Sequence, residues 1–333
     1  MSKKKSASGA KTKAAGVDEN AVTRQMVFAS YGKLCKLIGV PINTHVNDIL
    51  RGSSEEEEEL VNFILEGEPP GPLGPGPNTS TGAYVHLRYI RIWRQDVGNE
   101  GAATIATLLQ SAAPSLNVVY LELLDCDIGA DGCKALAEAL SAQKQPGLLT
   151  INLKYNLGIG DAGVESLCEG LFTNSVLKVQ LHLDYCGIGA AGAIKLAQLL
   201  SMPSSAIEML SLQGNALGDE GLYHLSLGLA RSSTLVTLNL SDNCIRHNME
   251  ALVAFRDALT RSKALAHVDF TFNQIEVDGA NVLLPALAPE NLKLQSFQVD
   301  ASLPGDIFAL LNRAPKADGK KKGKKKGGGK KKK

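Results

Sequence analysis

Leucine-type residues return at fixed offsets through most of this chain. In residues 207–221, IEMLSLQGNALGDEG, Ile207, Leu210 and Leu212 lie eight, five and three positions before Asn215, and Leu217-Gly218 follows before a helical run from Asp219. The same frame fits on Gln95, Cys126, Asn156, Cys186, Asn215, Asn243, Asn273 and, weakly, Ser302, with steps of 31, 30, 30, 29, 28, 30 and 29 residues. Such a period belongs to a solenoid rather than to a string of separate domains. Each repeat predicts a short strand, a tight turn at the Asn or Cys slot, and an amphipathic helix that returns the chain. In the second repeat these are VVYLELLDC and ADGCKALAEALSAQ, with Leu136 and Leu140 on the inward helical face and Pro146-Gly147 as the stop. Asn suits the slot because a chain leaving a buried strand has backbone groups to satisfy, and its short side chain both donates and accepts. Cys fills the same space with a weaker donor.

Strand alternation also predicts a surface. With the leucine-type residues turned inward, the residues between them form a ladder on the concave side. It is expected to hold Tyr89, Arg91, Trp93 and Arg94, then Tyr120, Glu122 and Asp125, then Lys154 and Tyr155, then His182, Asp184 and Tyr185, and finally Gln213, Asp242, Asp269 and Phe272. Aromatic side chains among charges, on a face the fold does not need them to cover, have the composition of a protein-binding hot spot. Large side chains packing only on ladder neighbours are the competing explanation.

Outside the array, Val27, Tyr31, Leu34 and Ile38 predict one helix, residues 44–50 a second, and Ser54 followed by Glu55–Glu59 the start of a third that carries Leu60, Phe63 and Ile64. Residues 67–82, rich in Pro and Gly, predict a linker. The expected organisation is a disordered basic segment over 1–16, a helical cap over 17–66, the linker, about eight repeats over 83–313, and a disordered Lys-rich tail over 314–333. An extra residue in the third repeat and one more in the strand of the fourth predict local bulges, and the degenerate last repeat predicts a cap.

Charge sharpens this organisation. Of 35 basic residues, 16 lie in the two ends, leaving 19 against 33 of the 34 acids in the body. The acidic body favours basic partners, while the Lys-rich ends favour a polyanion such as acidic tubulin tails. Without aromatics those ends have no means of reading base identity, so sequence-specific nucleic-acid binding is not expected. No run of about 18 apolar residues predicts a membrane span, and the expected location is the cytoplasm. Six scattered cysteines without a CxxC pair give no zinc or disulfide framework, and no cofactor is expected. Gly158-Ile-Gly160-Asp-Ala-Gly163 and Gly187-Ile-Gly189-Ala-Ala-Gly192 match a dinucleotide fingerprint, but they share one repeat phase and are read as repeat grammar.

The Asn/Cys slot, the repeat length and the segment Leu217-Gly218-Asp219-Glu220-Gly221 resemble the ribonuclease-inhibitor-like class of leucine-rich repeats over about residues 84–303. That resemblance implies an α/β leucine-rich-repeat solenoid, a curved horseshoe with an inner parallel sheet and outer helices. It also implies a non-enzymatic scaffold that binds a folded partner. Ciliary or flagellar axonemal subunits are the first expectation within the class; a Ran-type GTPase-activating regulator and a ribonuclease-inhibitor-like binder stay open.

Overall fold

The computed structural model describes residues 24–38, 41–52, 62–65, 88–111, 118–140, 148–173 and 179–313. The basic ends, the glutamate run and the linker over 67–82 lie outside the described residues. Two helices lead, α1 (Arg24–Ile38) and α2 (Thr44–Arg51), followed by strand β1 (Asn62–Leu65). Strands and helices then alternate: β2 (Tyr89–Trp93), α3 (Gly98–Ser111), β3 (Tyr120–Leu124), α4 (Ala130–Leu140), β4 (Thr150–Asn152), α5 (Gly160–Phe172), β5 (Val179–His182) and α6 (Ala190–Ser201). The series continues with β6 (Ile207–Ser211), α7 (Gly218–Leu229), β7 (Thr237–Asn239), α8 (Met249–Arg261), β8 (His267–Asp269), α9 (Glu276–Leu283), a 3-10 turn, β9 (Ser296–Gln298) and α10 (Gly305–Leu311). Among the described residues nine strands form one parallel sheet in chain order, an open leucine-rich-repeat solenoid. Strands stack about 4.8 Å apart while packed helices need 8–10 Å, so the sheet side is the shorter one and the array bends toward it. Leu121, Leu123, Leu181 and Leu210 from the strands, with Leu183 and Leu212 just beyond them, meet Leu136, Leu167, Leu196 and Leu225 from the helices in one continuous core.

Two local expectations change. Residues 62–65 form a strand hydrogen-bonded to β2 where a third helix was predicted. The Asn-Phe-Ile-Leu segment suits an extended edge, and β2 offers it unpaired backbone groups. The bulge of the fourth repeat falls on its neighbour: Val179 faces Ile207 but Gln180 faces Met209, so Glu208 of β6 is the extra residue and β5 is the shorter strand. In the third repeat the extra residue does push Leu157 outward, to 74% exposure. Glycines recur just inside the helices and are hemmed in by their own and the preceding repeat together: a Cβ on Gly132 would meet Asn99 and Ile128, both at 2.8 Å, and one on Gly279 would meet Leu252 of the preceding repeat at 2.7 Å. A Cβ on Gly163 would meet Ile159 at 2.7 Å, ahead of Cys133 of the preceding repeat at 3.3 Å. Later in the helices, Gly170 and Gly228 leave no room for a Cβ beside the backbone carbonyls of Ala137 and Ala197 in the preceding repeat.

Numbering repeats from the Gln95 slot, odd and even members differ in kind. Asn156 of the third repeat accepts from the amides of Cys126 and Ile128 in the second, at 2.9 and 3.1 Å. Asn215 of the fifth does the same for Cys186 and Ile188, both at 3.0 Å, and Asn273 of the seventh for Asn243 and Ile245, at 3.1 and 3.2 Å. From the other side, Asn99 accepts from Gly129 and Gly132 at the start of α4, Asp161 from Gly189 and Gly192 at the start of α6, and Asp219 from Arg246 ahead of α8. Every even repeat from the second to the sixth is therefore clamped by both odd neighbours. The seventh repeat begins its helix with Glu276 at φ 53°, where Gly98, Gly160 and Gly218 hold the same left-handed position. The eighth lets the chain fold back, and Arg313 pairs with Phe297 of β9 and donates to the carbonyls of Leu287, Asn291 and Leu294.

Candidate interaction face

Parallel register turns each repeat position into a row across the concave sheet. The central row runs Arg91, Glu122, Asn152, His182, Ser211, Asn239, Asp269, Gln298. Glu122 organises its N-terminal part. The Tyr89 hydroxyl donates to Glu122 Oε2 at 2.7 Å, Arg91 Nε lies 3.6 Å from the same oxygen, and Asn152 Nδ2 donates to Oε1 at 3.5 Å. Burial and the bond to Glu122 raise the Tyr89 hydroxyl above its ordinary pKa. Tyr89 and Tyr120 meet at 5.5 Å, with Tyr120 42% exposed, and Trp93 at the end of β2 is 39% exposed.

Asp184 departs from the expectation of a partner-facing carboxylate. It is 1% exposed, because Lys154 Nζ lies 2.7 Å from Oδ2 while the Ser211 hydroxyl and the Gln213 amide donate to Oδ1. Lys154 and Asp184 thus knit three repeats together. His182 stands beside them half-buried with Nδ1 lacking a hydrogen-bond partner, and burial followed by the Lys154 charge lowers its pKa. Asp269 Oδ1 accepts from the backbone and hydroxyl of Thr271, fixing its own turn.

Arg94, Tyr155, Tyr185 and Phe272, expected on the strands, sit instead in the turns beyond them. Each occupies the position just before the Asn or Cys slot with φ of 55°, 64°, 56° and 59°, and Asp125, Gly214 and Asp242 share that left-handed state at 52°, 68° and 54°. A left-handed residue reverses the chain direction so that the next side chain, the slot residue, enters the core. Its own side chain is left on the sheet's edge. The result is an edge row, Arg94, Asp125, Tyr155, Tyr185, Gly214, Asp242 and Phe272. Within it the Tyr155 and Tyr185 rings stack 5.1 Å apart at 7°. Tyr185 is held from both ends, since its hydroxyl accepts from Gln213 Nε2 at 3.2 Å and its ring covers Gly214, where a Cβ would fall 2.1 Å from the ring. Tyr155 stays 51% and Phe272 67% exposed. The sequence signal for this row was the fixed position before the slot, which strand alternation alone could not separate from the ladder.

Burial pushes the thiols of Cys126, Cys133, Cys168 and Cys186 up to about 12, the opposite of a reactive thiolate. Among the described residues no group of three His, Cys, Asp or Glu could hold a metal ion, and no helix is long and apolar enough to cross a membrane. At the Gly187-Ile-Gly189-Ala-Ala-Gly192 fingerprint, the Asp161 carboxylate already takes the amides of Gly189 and Gly192 at 2.7 and 2.8 Å, where a phosphate would bind.

Comparison with known proteins places these repeats. A family profile described as Leucine Rich repeat matches residues 115–137, 147–168, 179–197, 207–226 and 231–246. The chain is similar to the ribonuclease inhibitor of Sus scrofa, 29% identical over 63% of this chain and 44% of that protein. It is also similar to NACHT, LRR and PYD domains-containing protein 14 of Mus musculus, 31% identical over 68% of this chain and 22% of that one. The chain spans less than half the length of these curated relatives. A yeast Rad7 and Elc1 complex structure aligns at TM-score 0.40 and 17% identity, over 67% of this chain and 59% of that one.

Proposed function

Starting from a chain that is a leucine-rich-repeat protein of the ribonuclease-inhibitor-like class, we propose that it is a non-enzymatic scaffold binding a folded protein partner on the concave face. The exposure of Trp93 and Tyr120 on the N-terminal strands supports the reading, because the leucine core holds the fold without them. Glu122, Arg91 and Tyr89 surround that pair with oriented polar groups, and a partner gains specificity from such groups more than from buried area. Cross-linking capture from cell extract with the full chain, compared with a Trp93→Ala/Tyr120→Ala variant, tests it. A loss of at least about tenfold in captured partner, with unchanged thermal unfolding, is expected for a hot spot; equal capture overturns the placement.

The Lys-rich ends complete the proposal by holding an acidic polymer such as tubulin tails, in a ciliary or flagellar axoneme. Localisation of the tagged full chain tests that placement, and a diffuse distribution overturns it. Likeness to ribonuclease inhibitors, together with the excess of acids in the body, favours one further reading, inhibition of a basic ribonuclease. It predicts a salt-sensitive fall in ribonuclease activity when purified chain is titrated in.

A further inference from the structure

The edge row contains one arrangement twice. Asp125 is followed one repeat later by Tyr155, and three repeats further on Asp242 is followed by Phe272, each pair an exposed carboxylate beside an exposed ring. Tyr155 is fixed on one face by the stack on Tyr185, which itself rests on Gly214. Asp125 holds the preceding place in the row, on the side opposite Tyr185. The carboxylate there is tied to Arg94 across 3.8 Å, both side chains 54% exposed, a pair that an incoming cation displaces at little cost. Lys154, next to Tyr155 in the chain, is engaged by Asp184 at 2.7 Å.

From this repetition we infer that the edge row is a docking ledge for a basic segment of a protein partner, which lays one arginine on Tyr155 against Asp125 and a second on Phe272 against Asp242. The inference rests on the partner-binding reading above and names the chemistry of that partner. Charge complementarity selects the occupant: the body carries 33 acids against 19 basic residues. Arginine rather than lysine fits because a guanidinium is planar, extends an aromatic stack by one layer and presents a donor fork to a carboxylate at its edge. Four repeats at about 4.8 Å set the two acids about 19 Å apart, which six residues of extended chain span.

Binding of fluorescently labelled deca-arginine and deca-lysine to the full chain, read by anisotropy at low salt, tests the ledge. Deca-arginine is expected to bind at least about fivefold tighter than deca-lysine. Tyr155→Leu/Phe272→Leu should bring the two peptides to equal affinity, and Asp125→Asn/Asp242→Asn should weaken both. Should either double variant lose its fold, Phe272→Leu alone should still halve the preference. Equal binding of both peptides by the unaltered chain, absence of binding, or a preference that survives loss of the rings overturns the ledge. A partner lost on Trp93→Ala/Tyr120→Ala while the peptides show no such preference overturns the ledge alone and leaves the scaffold reading standing.

Discussion

Asn215 and Asn243 occupy the same slot in adjacent repeats and do unequal work. Asn215 donates to the carbonyls of Leu183 and Leu212, both at 2.8 Å, and accepts two amides of the fourth repeat. Asn243 donates to Leu212 and Ser241 at 2.9 and 3.0 Å, while its buried Oδ1 has no hydrogen-bond partner. An even repeat needs only the donor, which is why Cys serves at 126 and 186, where Sγ donates to the equivalent carbonyls. Asn243→Cys should therefore change stability by less than about 1 kcal/mol. Asn215→Cys should cost about 3 kcal/mol, because it leaves two buried amides unpaired. Urea midpoints of the two variants check the contrast. His182 gives a second prediction at this scale. Its folded pKa is depressed, chiefly by burial and then by Lys154, so the native state holds the neutral ring. The unfolded ring takes up a proton near pH 6.5, and stability contributed above that value is lost as pH falls below it. A His182→Gln variant should show a flatter decline in stability between about pH 6.5 and 5 than the unaltered chain.

Elements inherit their limits from such residues. Helices α3, α5 and α7 begin on a glycine at left-handed φ, and α9 begins on Glu276 in the same conformation. A side chain there costs about 1–2 kcal/mol, part of which glycine returns through the entropy of the unfolded chain. Glu276→Gly should accordingly stabilise the protein by roughly 0.5–1 kcal/mol, read as a rise in the denaturation midpoint. The sixth repeat solves the same junction differently. Having no glycine there, it starts α8 with Asn248 as N-cap, whose side chain accepts from Ala251 at 3.0 Å. Strand β1 shows the reach of pairing over local pattern, since an edge left open by β2 outweighs the helical start suggested by the glutamate run before it.

At the scale of the whole molecule, the cysteines report on the integrity of the array. Of six free thiols only Cys244 is exposed. A thiol titration of the native chain should give one fast-reacting group and release the others on unfolding. The four thiols raised to about 12 add a pH dependence. Their folded values exceed the unfolded value near 8.5, so their contribution is intact below that pH and declines as pH climbs toward 12. Alkaline unfolding should begin near pH 9 and steepen above it. Repeat period, slot positions, α/β class and the inward residues were all written in the chain itself, because leucine spacing is a one-dimensional signal that each repeat states alone. The odd and even division was decided only by the assembled stack, as were the burial of Asp184 under Lys154 and Ser211 and the displacement of Tyr155, Tyr185 and Phe272 to the edge. Those outcomes depend on hydrogen-bond partners about thirty residues away and on which side a left-handed turn delivers a side chain. The first is a pairing between repeats that no single repeat states, and the second is a backbone conformation, recurring before the slot, that leucine spacing does not specify.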